Sequence, residues 1–539
     1  MLRAVARDLG SRYAEHYRIV RATSGAEALE AITELKKRDE PVALLLSDQR
    51  MPLMDGVRFL ILASDIVPDA RRALLTAYAD TDAAIAAINE SRVDYYLLKP
   101  WDPPTEKLYP VIDDLLSTWR AGYRPGFGGI RIVGDRWSPE SHRIRDFLAR
   151  NGVPYVFLDV EADDEARRLV GRAPNGNPAP DDLPFLILPG GARLRRPATA
   201  EIAKHVGMRT QAASEFYELA IVGGGPAGLA SAVYGASEGL STVLIEREAP
   251  GGQAGTSSRI ENYLGFPAGL SGTDLARRAT TQARRFGVEI LSPRSVERLD
   301  IDGPYRRLRF DDGFSVTCHA LLLSVGVDWR RLDAPGAGGL TGRGVFYGAA
   351  LSEAQAVSGE HVVTVGAGNS AGQAALHFAD HAGRLTMLVR RDSLAYSMSR
   401  YLIDRIEEHP KIDVLYQHEI EACSGRERLD GITVRDAKGA STDIDTHHLF
   451  VFIGAVPRTD WLGEAIARDE RGFIRTGPDL TEQDLAHWPL EREPFLLETN
   501  VPGVFAAGDV RHDSVKRVAS AVGEGSVAVA FIHRHLAKL

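Results

Sequence analysis

The residues best suited to chemistry form two glycine-rich turns, each following a short apolar run. In the first turn, Gly223, Gly225 and Gly228 have the spacing G-x-G-x-x-G, and the next apolar run ends at Glu246. Glycines at this spacing allow a tight turn, close approach of the backbone to a pyrophosphate, and close packing of a helix on a strand. The helix N-terminus attracts the anion, and the carboxylate can accept hydrogen bonds from a ribose. We therefore predict a dinucleotide site here; the alternative is a structural glycine-rich turn.

The second turn contains Gly366, Gly368 and Ala371 in the spacing G-x-G-x-x-A, and the apolar run after it is followed by Arg390 and Arg391. An acidic residue at that point would repel a 2′-phosphate, whereas paired guanidinium groups bind one through charge-assisted, forked hydrogen bonds. We predict NADPH rather than NADH at this site; the alternative is a solvated arginine pair at the end of a strand. Two dinucleotide sites of these kinds imply FAD together with NADPH.

The elements that must position these residues are buried parallel strands, each followed by a helix. The apolar run 219–222 predicts such a strand immediately before the first turn. The stretch from Leu219 to Ser237 is also long and uncharged enough to suggest a membrane span. Its embedded GGGPAG favours strand, turn and helix instead, so we predict an α/β protein with two Rossmann-like domains.

Residues from about 216 to 539 resemble the thioredoxin reductase family. The matching segments are GGGPAG, the GGQ of Gly251–Gln253, IENYLGFP at Ile260–Pro267, VGAGNSA followed by VRRD, and VPGVFAAGDV near the end. The resemblance implies a homodimer in which the FAD-binding domain is split in sequence by an inserted NADPH-binding domain. It places Asp509 on the ribityl chain and Arg517–Ala519 near the pyrimidine edge of the flavin. The FAD-binding residues that it adds are Gly252, Gln253, Asn262, Gly508, Asp509, Arg517, Val518 and Ala519.

The sequence departs from that family at the redox-active C-x-x-C that precedes the second glycine-rich strand. The matching positions here run from Ala349 to Ser352, and the two cysteines of the chain are Cys318 and Cys423. A flavin–dithiol relay needs two thiols within bonding distance of each other, so we predict that both cysteines are buried structural thiols. We identify no catalytic residue beyond the flavin. Electrons would pass to an external acceptor, which is a partner protein, a quinone-like molecule or a disulfide reduced directly at the flavin.

The N-terminal segment places three polar residues at the ends of apolar runs: Asp48 in LLLSDQRMP, Thr76 in ALLTAY and Lys99 in YYLLKP. The pattern resembles the receiver domain of response regulators. That resemblance implies that Asp48 is the phosphoacceptor, that Thr76 and Lys99 contact the phosphoryl group, and that a cis peptide precedes Pro100. Receivers begin with a strand ending in two acids that hold Mg²⁺, whereas this sequence starts inside the first helix. Either its start lies downstream of the true one, or the domain is incomplete and Asp48 is a plain acid at a strand end.

Residues 130–207 have a strand, loop, helix and strand pattern that resembles glutaredoxin and thioredoxin domains. The C-P-x-C of those domains matches Ser138–Ser141 here, and their cis-proline matches Pro184. Ser138 suits a helix N-cap, and Pro139 suits the first helical turn. Because both cysteines are replaced, the segment cannot exchange thiols. Two interpretations remain, a docking module and a structural spacer.

Length and composition limit the remaining choices. The chain has 539 residues, of which 44% are hydrophobic and 25% charged, and its net charge is −9. The length predicts several domains, the negative charge argues against nucleic acid as a partner, and the cysteine count excludes a disulfide scaffold. The start, MLRAVARDLG, lacks a secretory apolar region, so we expect a cytoplasmic protein without a membrane segment. The predicted domains are 1–122 (a flavodoxin-like receiver without its first strand), 130–207 (thioredoxin-like), 216–335 and 455–539 (FAD-binding) and 336–454 (NADPH-binding).

These features predict an FAD-dependent NADPH oxidoreductase of the thioredoxin reductase fold. A receiver-like phosphorelay input domain, served by a histidine kinase or another phosphodonor, would be coupled to it. A second hypothesis is a redox-sensing signalling module, in which flavin and NADPH occupancy set the conformation without turnover. A third is an inert scaffold. Fast turnover with a physiological acceptor distinguishes the first from the second, and loss of FAD on purification would favour the third.

Overall fold

A computed structural model of the protein describes residues 2–14, 16–37, 40–51, 54–76, 93–122, 129–171, 182–257, 259–267, 269–348 and 357–539. The chain divides into two compact units, Met1–Gly126 and Phe127–Leu539. The second unit contains three sheet-based parts. We call them the middle domain (residues 130–207), the first Rossmann domain, which carries the first glycine-rich turn, and the second Rossmann domain, which carries the second.

The first unit is a parallel sheet with helices on both faces. Its strands and helices are β1 (Leu44–Asp48), β2 (Arg71–Thr76), β3 (Tyr95–Leu98), α1 (Leu2–Tyr13), α2 (Gly25–Lys37), α3 (Gly56–Ile66), α4 (Pro104–Lys107) and α5 (Tyr109–Gly122). The sheet order is β1-β2-β3. Leu75 and Leu97 pack with α1 and α5 on one face, and Leu74 packs with α2 and α3 on the other. In the part of this unit that the structure describes, the sheet has these three strands.

The middle domain is a mixed sheet with helices packed against it. Its elements are β4 (Ile130–Gly134), β5 (Tyr155–Asp159), β6 (Phe185–Ile187), β7 (Arg193–Arg195), α6 (Pro139–Arg150), α7 (Asp164–Gly171) and α8 (Thr199–His205). The order is β5-β4-β6-β7, with β4 parallel to β5 and antiparallel to β6. Helix α6 begins as predicted: the Ser138 hydroxyl accepts a hydrogen bond from the Ser141 N–H, and Pro139 occupies the first turn. The peptide before Pro184 is cis, also as predicted.

The first Rossmann domain contains the strand, turn and helix predicted for residues 219–237. Its elements are β8 (Phe216–Val222), β9 (Thr242–Ile245), β10 (Glu289–Leu291), β11 (Val296–Asp302), β12 (Tyr305–Phe310), β13 (Ser315–Leu323), β24 (Val504–Ala506), α9 (Pro226–Ser237), α10 (Gly272–Arg285) and α13 (Val518–Leu536). The sheet order is β10-β9-β8-β13-β12-β11, with β24 paired to β13. Helices α9 and α13 pack together closely, and the Ser231 hydroxyl donates to the Gly525 carbonyl at 2.8 Å.

The second Rossmann domain interrupts the first in sequence. Its elements are β15 (Val345–Tyr347), β16 (His361–Val365), β17 (Arg384–Val389), β18 (Ile412–Tyr416), β19 (His418–Ser424), β20 (Gly431–Asp436), β21 (Ser441–Asp445), β22 (His448–Val451), α11 (Asn369–Ala379) and α12 (Arg400–Glu407). A parallel sheet in the order β15-β22-β16-β17-β18 carries the turn, and β19-β20-β21 form an antiparallel sheet. The chain enters and leaves through β14 (Val327–Trp329) and β23 (Ala455–Pro457), which pair antiparallel.

The apolar stretch from Leu219 to Ser237 is divided between β8, the glycine-rich turn and α9, which removes the membrane-span alternative for it. Within the described ranges, no helix is both long and apolar enough to cross a membrane.

Candidate functional site

The first glycine-rich turn joins β8 to α9 and is closely packed at two of its glycines. Gly223 has φ +106°, and a Cβ there would lie 2.3 Å from the Ser324 carbonyl oxygen. A Cβ on Gly228 would lie 1.9 Å from the Gly223 carbonyl oxygen, because the first turn of α9 presses on the end of β8. These contacts explain in steric terms why this turn has glycine at positions 223 and 228.

The second glycine of the pattern borders open space instead. Gly225 is the N-cap of α9, and a Cβ on it would meet no heavy atom within 4 Å. The first N–H groups of a helix lack partners inside the helix and favour an anion. The N-terminus of α9 therefore has the room and the donors that the pyrophosphate of FAD requires.

Glu246 lies directly after β9, beside this turn, and is buried. Its two carboxylate oxygens accept hydrogen bonds from the Gly224 N–H at 2.7 Å and the Glu248 N–H at 2.8 Å. Burial raises the pKa of Glu246 above its usual range, and these two hydrogen bonds and the charge of Arg150 oppose the rise. The carboxylate is held at the turn, where the ribose of a bound dinucleotide would lie.

Three segments that are distant in sequence meet at the first turn. A Cβ on Gly252 would lie 3.1 Å from the Gly225 Cα, and a Cβ on Gly508 would lie 3.1 Å from the Ala227 Cβ. The loop at 251–253 and the turn at 508–509 therefore line the same region as the glycine-rich turn. This convergence is what the resemblance to thioredoxin reductases implies for an FAD site.

Asp509 follows β24 and is partly buried. Among the residues that the structure describes, none donates a hydrogen bond to its carboxylate, and burial raises its pKa, while Lys516 opposes that rise. A partly buried acceptor without a donor fits a group that receives hydroxyls from a ligand. The sequence analysis missed Glu524, which accepts the Gly508 N–H at 2.7 Å and pairs with Arg511 at 3.1 Å. An acid among the small and apolar residues that begin α13 was the available signal.

The other predicted FAD residues differ in their surroundings. The side-chain amide of Gln253 donates to the Val327 carbonyl, so it is committed to the protein backbone. Arg517 is the N-cap of α13, which puts Val518 and Ala519 in its first turn. Asn262 is exposed on its loop.

The second turn has the same design. Gly366 follows β16, with its N–H bonded to the Leu388 carbonyl of β17, and Gly368 is the N-cap of α11 with open space on its Cβ side. Arg390 and Arg391 come directly after β17, the strand next to β16. The Arg390 side chain is 78% exposed, with Glu419 at 3.8 Å, and the Arg391 guanidinium lies over the Tyr396 ring. Both cations therefore lie at the strand edge that carries the turn.

The two cysteines are buried and free, and they belong to different sheets: Cys318 is in β13 and Cys423 is in β19. Burial raises the pKa of Cys318 to about 12 and that of Cys423 to about 11. Thiols with such pKa values carry almost no thiolate at neutral pH and are poor nucleophiles. The positions from Ala349 to Ser352 lie outside the described residues.

In the first unit, the predicted phosphoacceptor site is assembled at the carboxyl ends of the strands. The Lys99 ammonium lies 2.5 Å from the Asp48 carboxylate, and the Lys99–Pro100 peptide is cis, as predicted. The Thr76 hydroxyl is buried and donates to the side chain of Gln49, a partner that the sequence analysis missed. Asp48, Thr76 and Lys99 thus share one edge of the sheet.

Comparison with known proteins extends this description. A family described as pyridine nucleotide-disulphide oxidoreductase matches residues 217–525, and the response regulator receiver domain matches residues 2–108. The chain is 31% identical over 319 residues to a thioredoxin reductase of Peptoclostridium acidaminophilum, which covers 58% of this chain and 94% of the relative. It is 29% identical over 327 residues to a thioredoxin reductase of Bacillus subtilis (strain 168), which covers 60% of this chain and 96% of the relative.

Two solved structures are similar over the same part. The crystal structure of Lactococcus lactis thioredoxin reductase aligns with a TM-score of 0.54 and 26% identity, covering 60% of this chain and all of that chain. That of T. acidophilum thioredoxin reductase aligns with a TM-score of 0.53 and 25% identity, covering 60% of this chain and 99% of that chain.

Two Rossmann domains, each with a glycine-rich turn open to a dinucleotide, define the class, and the chain belongs to the pyridine nucleotide-disulphide oxidoreductase family. Within that class it is a thioredoxin reductase-like oxidoreductase, a group that uses FAD and NADPH, and it carries a response regulator receiver domain at its N-terminal end.

Proposed function

We propose that the protein is a cytoplasmic, homodimeric NADPH-dependent flavin oxidoreductase that passes electrons to an external acceptor without an internal dithiol. The receiver domain would act as its phosphorelay input. One arrangement carries the proposal. Each Rossmann domain has a glycine-rich turn with open space beside its helix N-terminus, which we call its cradle. The two cysteines, in contrast, are buried in different sheets.

When bound, NADPH and FAD supply the chemistry, which is hydride transfer to the flavin ring followed by electron transfer to an acceptor. The residues of the chain bind and orient the two cofactors. Gly225 leaves room for the pyrophosphate of FAD, Glu246 accepts ribose hydroxyls, and Asp509 accepts hydroxyls of the ribityl chain. Arg390 and Arg391 bind the 2′-phosphate that distinguishes NADPH from NADH.

The absence of a dithiol relay predicts a simple reductive stoichiometry. Anaerobic titration with NADPH is expected to bleach the bound flavin with about one equivalent per FAD, whereas a redox dithiol behind the flavin would take up about one more. The variant Cys318→Ala/Cys423→Ala is expected to show the same end point. Its rate of ferricyanide reduction should stay within about twofold of the wild-type rate, because neither buried thiol carries electrons.

The result that would contradict this proposal is a flavin that stays oxidised under anaerobic NADPH. A two-equivalent end point that the double cysteine variant abolishes would instead show that the thiols take part. Thermal unfolding of the variant, followed by circular dichroism, separates a stability loss at the fully buried Cys318 from a loss of electron transfer.

The receiver domain favours a second candidate, a redox-sensing module in which cofactor occupancy matters and turnover does not. Steady-state assays with quinones, ferredoxin and ferricyanide as acceptors distinguish the two. Fast turnover with a quinone or ferredoxin supports the enzyme. Complete reduction of the flavin by NADPH without turnover on any of the three supports the sensor.

Phosphorylation of the receiver domain is tested separately. With a small phosphodonor and high Mg²⁺, the wild-type protein is expected to gain the mass of one phosphoryl group, and Asp48→Ala is not, because the Lys99 ammonium beside Asp48 can stabilise the added charge. Intact-mass spectrometry measures the difference, and Asp69→Ala, at an exposed acid of the same unit, is the matched control. The same gain in mass on treatment for wild type and Asp48→Ala, or no gain in either, would contradict phosphorylation of Asp48 and favour a structural role for this domain.

A further inference from the structure

The end of helix α6 extends from the middle domain onto the first Rossmann domain. The Arg150 guanidinium donates to the Glu248 carboxylate at 2.7 Å and to the Gly252 carbonyl at 3.4 Å. The side-chain amide of the next residue, Asn151, donates to the Glu248 carbonyl at 3.1 Å. Two adjacent residues of the middle domain therefore make three hydrogen bonds to one short segment, residues 246–252.

That segment is the one that lies against the first glycine-rich turn. The Glu246 carboxylate accepts a hydrogen bond from the Gly224 N–H, and the Gly251 N–H donates to the Gly224 carbonyl at 2.7 Å. Gly252 itself lies against Gly225, the glycine that borders the open cradle. Any displacement of residues 246–252 would therefore move the ribose acceptor and one wall of the cradle together.

The arginine end of this contact is largely enclosed, whereas the Glu248 side chain is half-exposed. The Arg150 side chain is 19% exposed, and Asp146 lies 3.6 Å from it, so the guanidinium is enclosed by acceptors. Burial lowers the pKa of Arg150, but the carboxylates of Asp146 and Glu248 more than offset that effect. Without Arg150, Glu248 would keep Arg247 as a partner at 2.8 Å, so the expected loss is that of the bridge from Glu248 to the Gly252 carbonyl.

Other residues also hold the segment. Arg247 pairs with Asp328 at 3.2 Å and with the Glu248 carboxylate at 2.8 Å, and the Ser292 hydroxyl donates to the Glu248 carbonyl at 3.4 Å. Arg150 alone, among these contacts, joins the Glu248 side chain to the Gly252 carbonyl and so spans the loop between the ribose acceptor and the cradle. A planar guanidinium with several fixed donors is suited to such a bridge, and a lysine is not.

We propose that the middle domain is part of the flavin site, and that Arg150 is a positioning residue that holds the 246–252 segment in its FAD-binding geometry. The inference rests on the proposed binding of FAD at the first turn. The middle domain lies outside residues 217–525, the part of the chain that matches the oxidoreductase family. Its docking through Arg150 therefore adds a contribution to cofactor binding from outside that region.

Arg150→Ala in the full-length chain tests the proposal. Apoprotein is titrated with FAD, and quenching of flavin fluorescence gives the Kd. We expect the Kd to rise about tenfold in Arg150→Ala, and Arg150→Lys to recover only part of the loss. Arg131→Ala is the matched control, because Arg131 pairs at 3.3 Å with Glu165 inside the same domain and both side chains are half-exposed. Its Kd should stay within about twofold of wild type.

A second measurement separates positioning from stability. Unfolding temperatures are recorded with and without FAD at one fixed concentration, because the rise in Tm that a ligand causes grows with the ratio of its concentration to its Kd. If Arg150 is a positioning residue, Arg150→Ala loses much of the FAD-induced rise in Tm, and Glu248→Gln loses a similar part. The double variant should lose no more of that rise than the more affected single variant. A lower Tm of the apoprotein with an unchanged Kd would overturn the inference. Wild-type protein that fails to bind FAD would overturn the proposed function instead.

Discussion

Gly228→Ala is expected to abolish FAD retention while leaving the rest of the protein folded. The added Cβ would lie 1.9 Å from the Gly223 carbonyl oxygen and 2.7 Å from the Ser324 hydroxyl. Both contacts involve the tightly packed end of β8 and its neighbour β13, so the clash is relieved only by moving α9 away from the sheet. That movement displaces the helix N-terminus that receives the pyrophosphate. A loss of roughly 100-fold in FAD affinity is consistent with overpacking at such a site.

The ratio of flavin absorbance to protein absorbance after gel filtration measures this effect. Gly338→Ala is the matched control, because a Cβ on Gly338 meets no heavy atom within 4 Å and its φ is not positive. Retention on an immobilised 2′,5′-ADP resin reports whether the second Rossmann domain is still folded in the Gly228 variant. A Gly228→Ala protein that keeps its flavin would show that the first turn is not the pyrophosphate site.

Arg390→Ala/Arg391→Ala is expected to raise the KM for NADPH by about 100-fold and to change the KM for NADH by less than about threefold. Each arginine can form charge-assisted hydrogen bonds to a 2′-phosphate, and two such interactions at about 1.5 kcal/mol each account for the factor. NADH lacks this phosphate and gains nothing from either side chain. The exposure of the Arg390 side chain and its separation of 3.8 Å from Glu419 leave the guanidinium available to a ligand.

Anaerobic flavin reduction at a series of NADPH and NADH concentrations measures this preference. Arg384→Ala is the matched control, since Arg384 lies at the opposite end of β17 and pairs with Asp413 on the surface. An equal rise in KM for NADPH and NADH would show that the arginines contribute to binding of both nucleotides and do not recognise the 2′-phosphate. An unchanged NADPH response would show that the pair is simply solvated.

Local elements were predictable because short-range contacts determine them. The strand–turn–helix around Gly223 follows from an apolar run, glycine spacing and a helix N-cap, all within about twenty residues. The cap of α6 at Ser138 and the placement of Asp48 at the end of β1 have the same local origin. The family resemblance then predicted which distant segment, at Gly508 and Asp509, belongs to the flavin site.

The groups that hold these elements in place were not predictable from local pattern. Glu524 binds the Gly508 N–H from a helix that begins ten residues after that glycine, and Gln49 binds Thr76 across two strands. Asn262, in contrast, belongs to a segment that matches the family and is nevertheless exposed. The contacts of Glu524 and Gln49, and the exposure of Asn262, depend on which strands are neighbours and how helices pack. These long-range arrangements leave no periodic signal in the sequence.

The sequence by itself predicted the two dinucleotide turns and the arginine pair that we propose selects NADPH, and it shows the absence of a C-x-x-C. Only the tertiary structure shows that the middle domain contacts the segment beside the first glycine-rich turn, because the contact between Arg150 and Glu248 joins residues about a hundred positions apart. Nothing in the residues around an arginine at the end of a helix distinguishes a bridge to another domain from a solvated charge. Packing alone distinguishes the two, since it buries the guanidinium among acceptors that the rest of the chain supplies.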